Sequence, residues 1–343
     1  MVTRRLGLAA FASLAACTPV DAGIGEEARP IANAELEGQA LFVANKRGNS
    51  LSKIDLGSGE EVKRVDSCSN PHELATSPDG RHVGLVCYSG TKLDLFRTSD
   101  LARVKSIELG ANARPHGIHW HSNGDLYTAA EGRKSVFWIR NPMGDDTRTF
   151  EYSTGKDGSH MIAVSPDGNH VWTTDLGSKT VTLVDLKTRR APRSVTVGVE
   201  PEGIDLSPDG KALWVSARGS DKAFEVDPVT MEIRSQVETG RFPLRLAIRP
   251  QGDVAATSDL ADGTLTVIDL AGATPVRTIA VSSAEEAQAR AQVTILWSDD
   301  GERIYVAETG TDTVAEVDYI SGKVLRRLKT GNGGDGLAIL DRR

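Results

Sequence analysis

Three histidines, His72, His116 and His160, recur at intervals of 44 residues, each five places before the first residue of a short polar turn. The same position later in the chain holds Glu202, Leu244 and Val293, and near the C-terminal end it holds Asp335. A second set, counted seven residues after each turn glycine, reads Asn45, Cys87, Glu131, Asp175, Ala217, Asp259 and Glu308. The sets are linked, because His72 and Cys87, His116 and Glu131, and His160 and Asp175 are each fifteen residues apart. Across a hairpin such partners lie near one end of adjacent strands. Neutral imidazole is the commonest metal ligand, and a carboxylate often orients it. His72, His116 and His160 with Glu131 and Asp175 are therefore candidate ligands for a divalent metal ion with an open coordination position. A His–carboxylate pair also suits general acid–base work. A third use of the same layer is the binding of a ligand by His72, His116, His160, Glu202 and Asp335 without chemistry. A fourth is structural, with each imidazole bonding the neighbouring repeat.

The elements that carry these residues repeat. Ser77-Pro78-Asp79-Gly80 returns as Ser165-Pro166-Asp167-Gly168 and Ser207-Pro208-Asp209-Gly210, with looser copies ending at Gly124, Gly252 and Gly301 and a first copy ending at Gly38. Proline pre-sets the first central turn position, aspartate bonds the local backbone, and glycine takes positive φ, so each copy is a tight turn between strands. The flanks alternate at period two, as in Thr180-Val181-Thr182-Leu183-Val184-Asp185. That pattern predicts half-buried antiparallel strands. Four strands per repeat of about 43 residues, seven times over, is the signature of propeller blades. The expected fold is all-β, a seven-bladed β-propeller of four-stranded antiparallel blades over residues 36–343. The first copy lacks an inner strand, whereas a spare one, Asp335 to Leu340, follows the last. It is expected to pair with residues 39–45 and close the first blade, leaving no open sheet edge. The longest interval, from Gly252 to Gly301, predicts a short helical excursion within residues 280–292.

The segments Leu41-Phe42-Val43-Ala44-Asn45, Ala212-Leu213-Trp214-Val215 and Arg303-Ile304-Tyr305-Val306-Ala307 follow turns. With the Ser-Pro-Asp-Gly turns and Pro115-His116-Gly117, they resemble the YVTN β-propeller repeat of YncE-like bacterial proteins. The resemblance implies the fold over residues 36–341 but not one reaction, since propellers host unrelated activities. The nearest catalytic resemblance is to lactonase-type propellers, without a catalytic motif that matches residue by residue.

Residues 1–16 read as an export signal. Arg4 and Arg5 precede the apolar run Leu6 to Leu14, which is too short to span a bilayer. Leu14-Ala15-Ala16-Cys17 resembles the lipobox of bacterial lipoproteins, which implies lipidation of Cys17. Several acyl chains give stable anchoring where one does not. Thr18 follows, and in a Gram-negative host the resemblance implies the periplasmic side of the outer membrane. Residues 17–35 are then the lipidated cysteine and a flexible tether. Cys68 and Cys87 lie in a compartment that permits a disulfide; the alternatives are two thiols or Cys87 beside His72 in a soft metal site.

Formal net charge is −7, with no long Lys/Arg run, which argues against a nucleic-acid partner. No nucleophile elbow, phosphate loop, dinucleotide fingerprint or haem-attachment motif is present. His119 and His121 alternate onto one face of their strand, and His82 and His170 read as surface residues. The leading expectation is a monomeric, lipid-anchored extracytoplasmic propeller that binds a ligand or protein partner at its channel face. The alternative is a metal-dependent or lactonase-like enzyme using the histidine ring.

Overall fold

In the computed structural model, which describes residues 39–340, the described residues form seven four-stranded antiparallel sheets. The expected lipidation at Cys17, the signal, the tether and the first turn glycine, Gly38, lie outside the described residues. Blade one combines the strands Ala40–Asn45, Ser50–Asp55 and Glu61–Asp66 with the last strand, Gly334–Leu340. Ala40 pairs with Leu340 and Val43 with Leu337, as the spare inner strand predicts. Blades two to seven each use four consecutive strands.

The turns hold their geometry by local bonding. Ser77 donates its hydroxyl to Asp79 (2.5 Å), Asp79 accepts the Arg81 N–H (3.0 Å), and Gly80 takes a φ of 70°. The Ser77 N–H reaches the carbonyl of His82, five residues on, and the same span recurs at Ser165, Ser207, Arg249 and Ser298. Blade three departs from this: the His121 N–H reaches the carbonyl of Asp125, only four residues on. Its turn is one residue shorter, which shifts everything counted from Gly124.

Because each sheet is apolar on both faces near the channel, the core lies between blades. Seven apolar clusters form, one per junction. Phe42 and Leu51 of blade one pack against Leu85 and Phe96 of blade two. The junction that closes the ring, between blades seven and one, packs Tyr305, Ala307 and Val314 against Leu41, Val43 and Leu337. A blade is thus stabilised by its neighbours and has no separate core of its own. The excursion before blade seven is a helix, Ala284–Arg290, capped by Ser283, whose side chain accepts the Glu286 N–H. Arg290 ties it to Glu308, and the Thr309 and Gly310 N–H groups bond carbonyls at its C-terminal end.

Candidate functional site

Each inner strand of blades two to seven carries a β-bulge just after its first residue. In blade two, Pro71 opposes Cys87 and Leu74 opposes Leu85, so His72 and Glu73 together face one partner residue. A bulge re-aims side chains, and here His72 and Glu73 are both buried. The residue before each inner strand is left-handed in all seven blades: Asn70, Arg114, Gly158, Glu200, Phe242, Ala291 and Gly333. Its carbonyl accepts an N–H from the end of the second strand, donated by Tyr88, Glu131, Leu176, Arg218, Leu260, Thr309 and Lys46 respectively.

That bond gives the true equivalences and corrects the second set of residues. Glu131 corresponds to Lys46, Tyr88 and Arg218, and Ala130, which pairs with Ser135, corresponds to Asn45, which pairs with Ser50. A shift of one residue moves a strand side chain to the opposite face. Asn45, Asp175, Asp259 and Glu308 therefore do not line the mouth beside the histidines. Asn45 bonds Ser50 and Ser52, Asp175 bonds Ser159, Thr173, Thr180 and Thr182, and Asp259 bonds Thr257, Thr264 and Thr266. Each clasps its own blade. Asp175 is thus no partner of His160, because its carboxylate is taken up by four hydroxyls inside blade four. Cys87 is likewise taken, in a disulfide with Cys68.

Glu131 does reach the histidines, through a different partner from the one expected. Instead of His116 of its own blade, it bonds Nδ1 of His160 in the next blade. His160 Nε2 lies 3.3 Å from Glu202 Oε1 in the blade after that. Burial alone would depress the His160 pKa, but the bonds to Glu131 and Glu202 outweigh it and raise it above the usual value. The other oxygen of Glu131 accepts the Tyr88 hydroxyl (2.8 Å), and Arg114 bonds both Tyr88 and Glu131. Burial, aided by Glu131, pushes the Tyr88 hydroxyl up to about 12.

His116 stacks on His160 with ring centroids 3.6 Å apart, and His72 tilts against His116 at 4.6 Å. His116 is 1% exposed, and its Nδ1 has no hydrogen-bond partner among the described residues. Burial, then His160 and His72, hold its pKa well below the ordinary value, so it is neutral. His72 faces Asp335 at 3.5 Å, and Lys46 bridges to the same carboxylate at 3.1 Å. Burial lowers the His72 pKa to about 4 despite Asp335. His72 Nδ1, like that of His116, is buried and unpartnered among the described residues.

Arg245 lies in the same buried layer. From blade six it bonds Glu202 of blade five and Glu73 of blade two, the latter at 2.8 Å. Burial would raise the pKa of Glu202, yet Arg245, His160 and Arg218 hold its carboxyl well below the usual range. The five expected ligand-binding residues, His72, His116, His160, Glu202 and Asp335, are all linked within this one layer. Of the five expected metal ligands, His116, His160 and Glu131 converge, with ligand atoms all within 4.8 Å of one another. Asp175 does not join them, and His72 is engaged with Asp335 instead. Spacing alone does not find Glu73 and Arg245, one residue further along the bulge, or Lys46, Tyr88, Arg114 and Arg218 at the rim.

His119 and His121 lie near the opposite end of their inner strand, with rings 5.9 Å apart, and line a cavity of about 350 Å³ with Trp120 and Asp205. His121 bonds the Ser165 carbonyl and the Asn123 N–H. His82 and His170 are half-buried beside turns. No helix among the described residues is long and apolar enough to cross a membrane.

A family model described as YNCE-like beta-propeller matches residues 134–343, more than half of the chain. No curated protein sequence matches. Among solved structures, a functionally unknown protein from Desulfotomaculum acetoxidans DSM 771 superposes with a TM-score of 0.68 at 15% identity, over 89% of this chain and 99% of that one. A streptogramin B lyase gives 0.66 at 16% identity over 80% and 88%. The dihydro-heme d1 dehydrogenase NirN gives 0.60 at 15% over 86% and 64%. At these identities the likeness is one of fold.

Proposed function

We propose, for a chain that belongs to the YncE-like β-propeller family, that the mouth of its channel binds a small anionic ligand. The family's ring does not specify an activity, so the reading rests on the site. The observation that carries it is a set of three partly exposed cations, each paired with one or more carboxylates, at the layer that holds two imidazole Nδ1 atoms without a partner among the described residues. The side chains of Lys46, Arg114 and Arg218 are 38%, 49% and 24% exposed, and they bond Asp335, Glu131 and Glu202, the carboxylates linked to the histidine layer. An anion entering there gains charge-assisted bonds that water at the rim supplies only weakly. Such sites are recognised by a few convergent polar groups in a concave setting. The test is a thermal-shift screen of small carboxylates and phosphate esters. A saturable rise in melting temperature that is lost in Arg114→Ala supports the reading, and no response to any of them removes it.

The ring is, in the same proposal, held outside the cytoplasm by a lipid on Cys17. Supporting this are the basic, apolar and Leu-Ala-Ala-Cys segments at the start of the chain and the Cys68–Cys87 disulfide, a bond that persists in oxidising compartments. Incorporation of labelled palmitate, absent in Cys17→Ala, would support the anchor, and equal labelling of both would refute it.

A second reading, an enzyme, is favoured by the His160–Glu131 pair, in which a buried imidazole of raised pKa is positioned to give up a proton at the mouth. Among the proteins of similar fold are ones described as a lyase and a dehydrogenase. Turnover of a lactone abolished by Glu131→Gln would favour this reading over simple binding.

A further inference from the structure

We infer that His116, Glu131 and His160 form a binding site for one borderline divalent transition-metal ion, such as Zn(II), Co(II) or Fe(II). The inference deepens the reading of the mouth as a ligand site and rests on it. Two adjacent blades contribute to one point. His116 comes from the inner strand of blade three, Glu131 from just beyond the end of its second strand, and His160 from the inner strand of blade four. Their ligand atoms lie within 4.8 Å of one another. Two imidazoles and one carboxylate suit zinc or iron-type ions and not magnesium or calcium, which take oxygen ligands.

The surroundings already have the form that metal ligands need. A ligating histidine characteristically gives its other ring N–H to a carboxylate, which fixes the tautomer and the ring plane. His160 has Glu202 at Nε2 (3.3 Å), and its Nδ1 is bonded to Glu131, so an ion bound there takes the place of the proton shared by Nδ1 and the carboxylate, which is released to solvent. The ligating carboxylate is itself held, since the second oxygen of Glu131 accepts the Tyr88 hydroxyl at 2.8 Å. His116 supplies the independent observation. It is 1% exposed, stacked on His160, and its Nδ1 finds no partner among the described residues. A buried polar atom without a bond is costly, and a metal ion or its bound water would satisfy this one. Three protein ligands leave coordination positions open, and Arg114 of the rim lies beside them, bonded to Tyr88 and Glu131. An anion held by that rim can therefore also coordinate the ion, which joins the two readings in one site.

The probe is Co(II), whose visible absorption reports its ligands, with Zn(II) titrated by calorimetry into the untagged full chain. One equivalent saturates the wild type. Affinity falls at least tenfold in His116→Ala and in Glu131→Gln, and about tenfold in Tyr88→Phe, which removes only the support of Glu131. His72→Ala retains the Co(II) spectrum. Tyr88→Phe keeps the test valid if His116→Ala fails to fold, which its melting curve reports. The inference is overturned if neither ion binds saturably, or if the wild type, Tyr88→Phe and Glu131→Gln bind alike. Thermal shifts by anions in metal-free protein would then show that the mouth still binds its ligand and that only the metal assignment has failed.

Discussion

Arg245 on blade six donates to Glu73 on blade two, 2.8 Å away and on a strand that is not its neighbour in the ring. Together with the bond from Arg245 to Glu202, this ties blade two to blades five and six, with which it shares no junction. Burial would lower the pKa of Arg245, but Glu73, Glu202 and Asp335 outweigh it and raise it further, so the guanidinium is always charged. Removing one partner of a buried ion pair leaves an uncompensated charge, at a cost of about 3–5 kcal/mol. Arg245→Met is expected to lower the melting temperature sharply at pH 7, more than Glu73→Gln does. In the first variant Glu73 loses its cation and Glu202 keeps only His160 and Arg218, whereas in the second the guanidinium keeps Glu202. Melting curves of both variants check this, and equal shifts would count against it.

The closing strand Gly334–Leu340 is paired along blade one and buried against blades seven and two. A chain ending at Gly331 is expected to lose cooperative unfolding altogether, since two junctions lose apolar surface and Ala40–Asn45 becomes an open edge. Calorimetry or circular dichroism of the truncated chain checks this. A single sharp transition near that of the full chain would contradict it.

Reducing the disulfide should destabilise the ring without dissolving it. Cys68 and Cys87 are 19 residues apart in sequence. Closing a loop of that size in the unfolded chain is worth about 3 kcal/mol in the chain-entropy account. The double variant Cys68→Ser/Cys87→Ser is expected to melt several degrees lower and to become insensitive to dithiothreitol, whereas the wild type falls to meet it on reduction.

Asp259 gives a pH dependence of defined sign. It is fully buried in blade six, and burial raises its pKa to about 6 even though three threonine hydroxyls oppose the rise. The folded state therefore holds a proton that the unfolded state, titrating near 3.8, has released. Stability from this group is present at low pH and is lost as pH rises from about 4 through 6. Relative to Asp259→Asn, the wild type should gain about 2 kcal/mol on going from pH 7.5 to pH 4.5. Parallel melting of the two proteins across that range reads the difference, and a constant gap would show that Asp259 stays ionised.

The ring and its closure were legible because both come from period-two alternation and from turns whose residues have few alternatives. His72, His116 and His160 could be placed in one layer because they stand at one position in three successive blades. Counting from the turn into the second strand fails, however. The blade-three turn, His121 to Asp125, is one residue short, and that moves Glu131 from the interior of its blade to the channel. Aligned on Ala130, the sequence shows a ring of Lys46, Tyr88, Glu131 and Arg218 that the turn-based count hid. Glu73 and Arg245 were missed for a second reason. Strict alternation puts only one of two adjacent residues in the channel, and the bulge at the start of each inner strand admits both.

The pairing of Ala40 with Leu340 spans 300 positions of the chain, from 40 to 340. At about 5–20 residues per second of synthesis, the first strand waits roughly 15–60 s for its partner to exist. During that interval blades two to seven can form one after another, but blade one cannot, and its edge stays available to other chains. The order of manufacture thus makes the first-made strands the last to be secured, and any factor that shields nascent chains has its longest task at residues 40–45.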